Sequence, residues 1–368
     1  MTRSHDLRLQ RVRQRMAREG LTAIITLGKA DCLYLTGFTG EAASVCVTEG
    51  DMVLFTDPRF TVQAEQEAPL ARLEIFTEGR DDLLPGVLEE LLQSEGGDQQ
   101  VVGIDPTYLT VKRWDNLRPL LEQAGLQWKL VGDVVESCRQ VKFPDELEAM
   151  RASATLVTSA FEYLESSRVI GRTELDVALD VEMFLRKNGS EGVAFPFIVA
   201  TGARGAMPHA EASDAMIQAG QLIVFDLGTV VGGYASDVTR TYAAGPIDEE
   251  LRTAYLLVQE AQAAAVAAAR AGVPCKALDA VARDYLAEGG LADRFVHSLG
   301  HGVGLEVHEA PNVSLRSQAV LESGMVVTIE PGVYFPGQGG IRIEDTVVIT
   351  EDGAEILTDW PRELRFLS

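Results

Sequence analysis

Histidine and cysteine are scarce in this chain, with five and four among 368 residues. Cys32, Cys46, Cys138 and Cys275 lie far apart and form no CxxC pair. That spacing excludes a zinc knuckle and a disulfide framework. Basic residues are few as well: 32 Lys and Arg face 55 Asp and Glu, a formal charge of −23. Such a surface repels a phosphate backbone or an anionic membrane, so no nucleic-acid or membrane partner is expected. No apolar run reaches the length of a membrane span, and residues 1–20 are rich in arginine without the apolar stretch of a signal peptide. A cytoplasmic protein is the expectation. HExxH is missing, which argues against an ordinary mononuclear zinc protease. No GxGxxG or GxxxxGK stands near Gly96-Gly97, which reads as a surface turn in a domain without a nucleotide site.

What is present is ample apolar material, 46% of residues, in a chain longer than one core usually serves. Two domains are expected, 1–137 and 138–368. The first reads as α/β: a basic helix over 7–19, strands at 21–27, 33–38, 43–48 and 52–56, then a helix opening at Asp57-Pro58 and running toward Glu67. Strands at 73–77, 101–104 and 126–131 alternate with helices over 81–92 and 109–122. Asp105 and the Asp57/Arg59 pair suit capping or turn roles. Beyond Lys142-Phe143-Pro144 a long helical pattern begins, followed by a helix over 173–188 capped by Thr173. Two further helices, 248–271 and 274–288, are rich in alanine and imply close packing.

The scarce histidines are concentrated, with His297, His301 and His308 inside twelve residues. One buried histidine needs local partners, whereas a metal site needs several donors converging on a point. Gly300, Gly302 and Gly304 remove bulk around His301 and permit unusual backbone, making His301 the leading ligand candidate. Carboxylates elsewhere answer it. The apolar strand 222–228 carries Asp226, and the returning strand carries Asp237, so the two face each other as metal ligands or as a general acid/base pair. A second apolar strand, 325–330, ends in Glu330, and 341–349 returns with Arg342 and Glu344 on one face. Four carboxylates and one imidazole are too anionic to share a cleft unneutralised. Two divalent cations fit best, ahead of a mononuclear site or purely structural acids. The oxygen-rich donors suit Mn2+, with Co2+, Zn2+ or Fe2+ as alternatives.

The spacing of these five residues within VFDLG, SDVTRT, HSLGHGVGLEVHE, VVTIEPGVY and IRIED resembles the creatinase-like, or pita-bread, dinuclear metallopeptidases. The resemblance covers about 140 to the C-terminus. With DCLYLTGFTG and VLFTDPRF in front, it is similar to the branch holding Xaa-Pro aminopeptidases and Xaa-Pro dipeptidases (prolidases). It implies an α/β creatinase-like N-terminal domain followed by an α+β catalytic domain with a curved, mainly antiparallel sheet backed by helices.

The same resemblance implies roles. Asp226 would be a terminal ligand of one metal, His301 and Glu330 would bind the other, and Asp237 and Glu344 would bridge. A water shared by the two ions would supply the nucleophile as a bridging hydroxide, with Glu330 also carrying a proton. His209 and His308 would orient the scissile group, His297 would contact the proline side, and Arg342 would hold an acidic ligand in place. Ala210 replaces a glycine common in relatives. The expected substrates are short peptides with proline at the second position, and a homodimer is expected. An Xaa-Pro aminopeptidase is favoured over an Xaa-Pro dipeptidase; a catalytically inactive peptide-binding module is the alternative of a different class. Phe195, Phe197, Tyr234 and Tyr334 are candidates for an apolar pocket or for core packing, and Arg204 for a substrate contact or a solvated loop.

Overall fold

A computed structural model describes residues 2–77, 80–95 and 100–368, so the turn expected at Gly96-Gly97 lies outside the described residues. The chain divides into two compact units, Met1–Arg139 and Gln140–Ser368. Among the described residues no helix is long and apolar enough to cross a membrane.

The first unit opens with α1 (Thr2–Arg18), β1 (Ala23–Thr26), α2 (Lys29–Thr36), β2 (Ala43–Thr48) and β3 (Met52–Thr56). It continues with α3 (Thr61–Glu67), β4 (Arg72–Ile75), α4 (Arg80–Glu95), β5 (Val101–Ile104), α5 (Val111–Gln123), β6 (Gln127–Leu130) and α6 (Glu136–Arg139). Its six strands run in the order β4-β3-β2-β1-β5-β6. The strand expected at 33–38 is instead helix α2. A short apolar run reads either way, and a glycine stop and a buried acid in the first turn decide the outcome. Gly37 adopts φ 81° and closes the helix with its N–H on the Leu33 carbonyl. Asp31, in the first turn, is buried and bonded to Arg139 Nη1 and Thr26 Oγ1, each at 2.6 Å. Asp57 accepts from the Arg59 amide and Asp105 from the Thr107 amide, so both cap turns.

The second unit begins with α7 (Pro144–Ser166), α8 (Glu174–Lys187), β7 (Gly192–Val193), β8 (Ile198–Thr201), β9 (Leu222–Leu227) and β10 (Thr229–Val231). Next come β11 (Tyr234–Ala235), β12 (Val238–Ala243), α9 (Glu249–Ala268), α10 (Cys275–Glu288), β13 (Gly300–Gly302) and β14 (Glu309–Val313). The chain ends through β15 (Val326–Ile329), β16 (Gly332–Phe335), β17 (Gly339–Arg342), β18 (Asp345–Ile349) and β19 (Ala354–Ile356). Strand pairs here are antiparallel.

Two helix pairs back these sheets. Val157 and Phe161 of α7 and Val177 and Val181 of α8 pack on Ile223, Phe225 and Leu227 of β9 and on Tyr242 of β12. Tyr255, Val258 and Ala261 of α9 and Leu278 and Ala282 of α10 pack on Val327 and Ile329 of β15 and on Val347 of β18. Alanine at 254, 261 and 265 leaves room for that close approach. Because strand side chains alternate, committing Phe225 and Leu227 to the helices sends Asp226 to the other face. Commitment of Val327 and Ile329 does the same for Thr328 and for Glu330 beyond it. The hydrophobic pattern therefore aims the acids.

Phe225 is fully buried between the α7/α8 pair and its sheet. Phe225→Ala should lower the stability of the metal-loaded protein by about 3–5 kcal/mol in urea unfolding. A loss below about 1 kcal/mol would contradict its place in this core.

Candidate metal centre

A cavity of about 490 Å3 is lined by His209, Asp226, Asp237, His297, His301, His308, Glu330, Arg342 and Glu344, which are all the residues expected at the site. Asp237, His301 and Glu344 offer ligand atoms within 4.8 Å of one another. His301 Nε2 lies 3.5 Å from Glu330 Oε1 and 3.6 Å from Asp237 Oδ2.

The strand expectations need two adjustments. Asp226 on β9 stands opposite Thr239, and Asp237 precedes β12 by one residue. The two acids thus meet diagonally across one face, and Thr239 sits between their registers. The single strand expected over 341–349 is broken into β17 and β18, with Ile343 and Glu344 at the break. That break lets the Glu344 amide bond to the Thr239 carbonyl at 3.0 Å. Asp345 is thereby turned into a separate buried cluster with Arg240, Arg362 and Gln262, leaving Glu344 to line the cavity.

The glycines of the histidine run act differently from the expectation. Gly300, Gly302 and Gly304 do not have positive φ. A Cβ at Gly300 would collide with the Thr328 carbonyl, and one at Gly302 with the Ala310 carbonyl. At Gly304 it would meet the Glu309 carboxylate at 2.6 Å. Close backbone approach, and not unusual dihedrals, demands glycine at 300 and 302, whereas Gly304 makes room for the Glu309 side chain.

The donor set fits cations. His301 Nδ1 donates to the Gly302 carbonyl at 3.0 Å, which leaves the Nε2 lone pair facing carboxylates. Burial and the neighbouring His308 hold this imidazole down to about 4, so it is neutral near pH 7. A lone pair opposed to carboxylate oxygens is repulsive unless a proton or a metal cation stands between them. Asp226 Oδ1 and Asp237 Oδ1 are buried without a hydrogen-bond partner, a costly arrangement that a metal ion would repair. Burial, reinforced by the neighbouring acids, pushes Asp237 and Glu344 well above the usual carboxylate range. Burial pushes Glu330 up to about 8.

Several orienting residues escaped the sequence reading. Thr239 Oγ1 donates to Glu344 Oε2 at 2.6 Å and accepts from Arg342 Nε at 3.1 Å. Thr328 Oγ1 receives the His301 amide at 3.0 Å and reaches Glu330 Oε1 at 3.3 Å. Each threonine lies two residues from an acid along one strand, so the period-two rule could have found both. Arg342 donates to Asp226 Oδ2 at 2.6 Å, to Tyr334 Oη at 2.8 Å and to the Pro208 carbonyl at 3.1 Å. His297 Nδ1 donates to the Ser298 carbonyl, which makes Nε2 the acceptor of the Tyr334 hydroxyl at 2.9 Å. Both nitrogens of His297 are therefore engaged within the protein. Tyr334 belongs to this chain of bonds, Tyr234 bonds Glu146, Phe197 packs in the helix-backed core, and Phe195 lines the cavity.

The histidine run is also braced from outside. On α10, Asp279 accepts from the Leu299 amide, while Arg283 donates to the Phe295 and His297 carbonyls. Buried Lys142 lies 3.4 Å from Glu309, whose other oxygen accepts from the Glu306 amide.

Without cations, Asp237, Glu330 and Glu344 hold protons that the unfolded chain releases. Folded values raised in this way give stability that is present at low pH and lost as pH rises, for Glu330 between 4.5 and about 8. His297 and His301, lowered from 6.5 to about 4, oppose this only below 6.5. The melting temperature of chelated protein should therefore fall between pH 6.5 and about 8, and saturating Mn2+ should raise it and flatten the slope. A chelated protein whose melting temperature rises across that interval would contradict this electrostatic picture.

The match to known proteins agrees with this geometry. Metallopeptidase family M24 matches residues 148–351, and the Creatinase/Prolidase N-terminal domain matches residues 8–141. An Xaa-Pro dipeptidase of Pyrococcus furiosus is 36% identical over 361 residues, covering 97% of this chain and 99% of its own. The solved structure of an Xaa-Pro dipeptidase from Bacillus anthracis superposes with a TM-score of 0.92 at 34% identity, over 99% of this chain and 100% of the other. An X-Pro aminopeptidase from Thermotoga maritima superposes with a TM-score of 0.86 at 35% identity, over 96% and 100%. With its acids and His301 gathered in one cavity, and a creatinase-type domain preceding them in the sequence, the chain belongs to metallopeptidase family M24 and is a metal-dependent peptidase.

Proposed function

We propose that this protein is an Xaa-Pro dipeptidase that holds two divalent cations, most favourably Mn2+, between Asp226, Asp237, His301, Glu330 and Glu344. The observation that carries the metal reading is the proton-free Nε2 of His301 facing Asp237 and Glu330. Support for the proline-directed substrate comes from the names of full-length relatives. The aminopeptidase preference drawn from the front segment yields to the dipeptidase reading, because two of the three relatives above are Xaa-Pro dipeptidases.

Asp226, Asp237, His301, Glu330 and Glu344 would hold the ions, which when bound would lower the pKa of a water and polarise the scissile carbonyl. Glu330 takes a proton from the attacking water and passes it to the leaving prolyl nitrogen. His209 and His308, on the cavity wall, orient the scissile group and stabilise developing charge. Arg342 fixes Asp226 and orders Tyr334, which His297 holds from the other side.

One observation favours the aminopeptidase as a second reading. Arg342 is the sole Lys or Arg among the residues lining the cavity, and its donors are committed to Asp226, Tyr334, Thr239 and Pro208. Those residues therefore offer a dipeptide carboxylate no uncommitted arginine or lysine.

Hydrolysis of an Xaa-Pro dipeptide should exceed that of the matching Xaa-Pro-Xaa tripeptide in kcat/KM, read by release of the first amino acid. Faster cleavage of the tripeptide would overturn the dipeptidase reading in favour of the aminopeptidase.

A further inference from the structure

The segment that brings His209 to the cavity leaves β8 at Thr201 and returns at Ser213, and both ends are tied to one carboxylate. Glu174, in the first turn of α8, is fully buried. Its Oε1 accepts from the Thr201 amide at 2.7 Å. Its Oε2 accepts from the Ser213 amide at 3.1 Å, the Ser213 hydroxyl at 2.7 Å and Arg204 Nε at 2.9 Å. Arg204 in turn donates Nη2 to the Glu211 carbonyl at 2.7 Å, two residues beyond His209. A buried carboxylate with this many donors is strongly held, and a loop closed at both ends keeps little freedom at its tip. The same loop is fixed to the site by Arg342 Nη1 on the Pro208 carbonyl and by the close approach of Gly205 to Gly340.

We propose that Glu174 is a positioning residue for peptide cleavage: it staples residues 201 and 213 together and, through Arg204, sets where the His209 ring stands over the metal centre. This rests on the reading above in which His209 orients the scissile group. Glu174 is not among the residues that line the cavity, so its effect on the reaction has to pass through the loop. Replacing its carboxylate by the isosteric amide sets an N–H group against the Thr201 amide in one orientation, or against the Ser213 amide and the Arg204 guanidinium in the other.

The test is a double-mutant cycle on the Mn2+-loaded full chain with Glu174→Gln and His209→Ala. Arg204→Met serves as a second variant that removes the arm from Glu174 to Glu211, leaves the Glu174 bonds to Thr201 and Ser213 in place, and alters a partly exposed residue. Glu174→Gln should lower kcat about tenfold with a smaller change in KM, and Arg204→Met should lower kcat less. In the His209→Ala background each should change kcat less than about twofold. Full additivity of both variants with His209→Ala, or a Glu174→Gln enzyme of unchanged kcat, would overturn the positioning role. His209→Ala with wild-type kcat/KM would instead overturn the reading of His209 itself, which separates the two failures. If Glu174→Gln does not fold, the Arg204→Met cycle decides alone by the same criterion.

Discussion

The constraint on which the second unit depends is the enclosure of four carboxylates in one cavity beside a neutral imidazole. Asp237 and Glu344 are almost wholly buried, and Asp226 and Asp237 each leave an oxygen without a hydrogen-bond partner. Burial of such charge is tolerated only when it is compensated. Arg342 bonds Asp226 and eases the other acids only through its single charge, one cation against four carboxylates. Metal cations held by these acids would supply the missing charge. On that basis the cavity is a metal site first and a peptide site by consequence.

The fold achieves this enclosure with ordinary means. Two helix pairs take the apolar side chains of β9, β12, β15 and β18, and alternation along each strand then aims the acids to the opposite face. Precision comes from short polar braces: Thr239 and Thr328 beside the acids, Asp279 and Arg283 behind the His297 segment, and Glu309 with Lys142 beneath the His308 turn. Groups that hold the first contacts of a metal are themselves held in turn.

Much of this was legible in the sequence because the signals are local. Apolar strands ending in Asp or Glu, helix caps such as Thr173 on the Asp176 amide, and the clustering of histidine all lie within a few residues. Most of the misreadings turn on contacts that lie outside the local sequence pattern. Helix α2 was taken for a strand because its Asp31 finds Arg139 more than a hundred residues away. The glycines around His301 answer to Thr328, Ala310 and Glu309, which no local pattern announces. The break at Ile343-Glu344 goes with a backbone bond from Glu344 to Thr239 on another sheet. Thr239 and Thr328 were within reach of the period-two rule, whereas Glu174, Lys142 and the role of Tyr334 required the tertiary structure.

The central claim is that the carboxylate cluster holds two cations and works only with them. Its most direct measurement is the metal content of the chelated and reloaded protein, by elemental analysis of protein freed of loose ions, alongside peptidase activity at each step of Mn2+ return. The account predicts loss of activity on complete chelation, its recovery on reloading, and two ions per chain at saturation. Activity undiminished after complete metal removal, or saturation at a single ion, would contradict it.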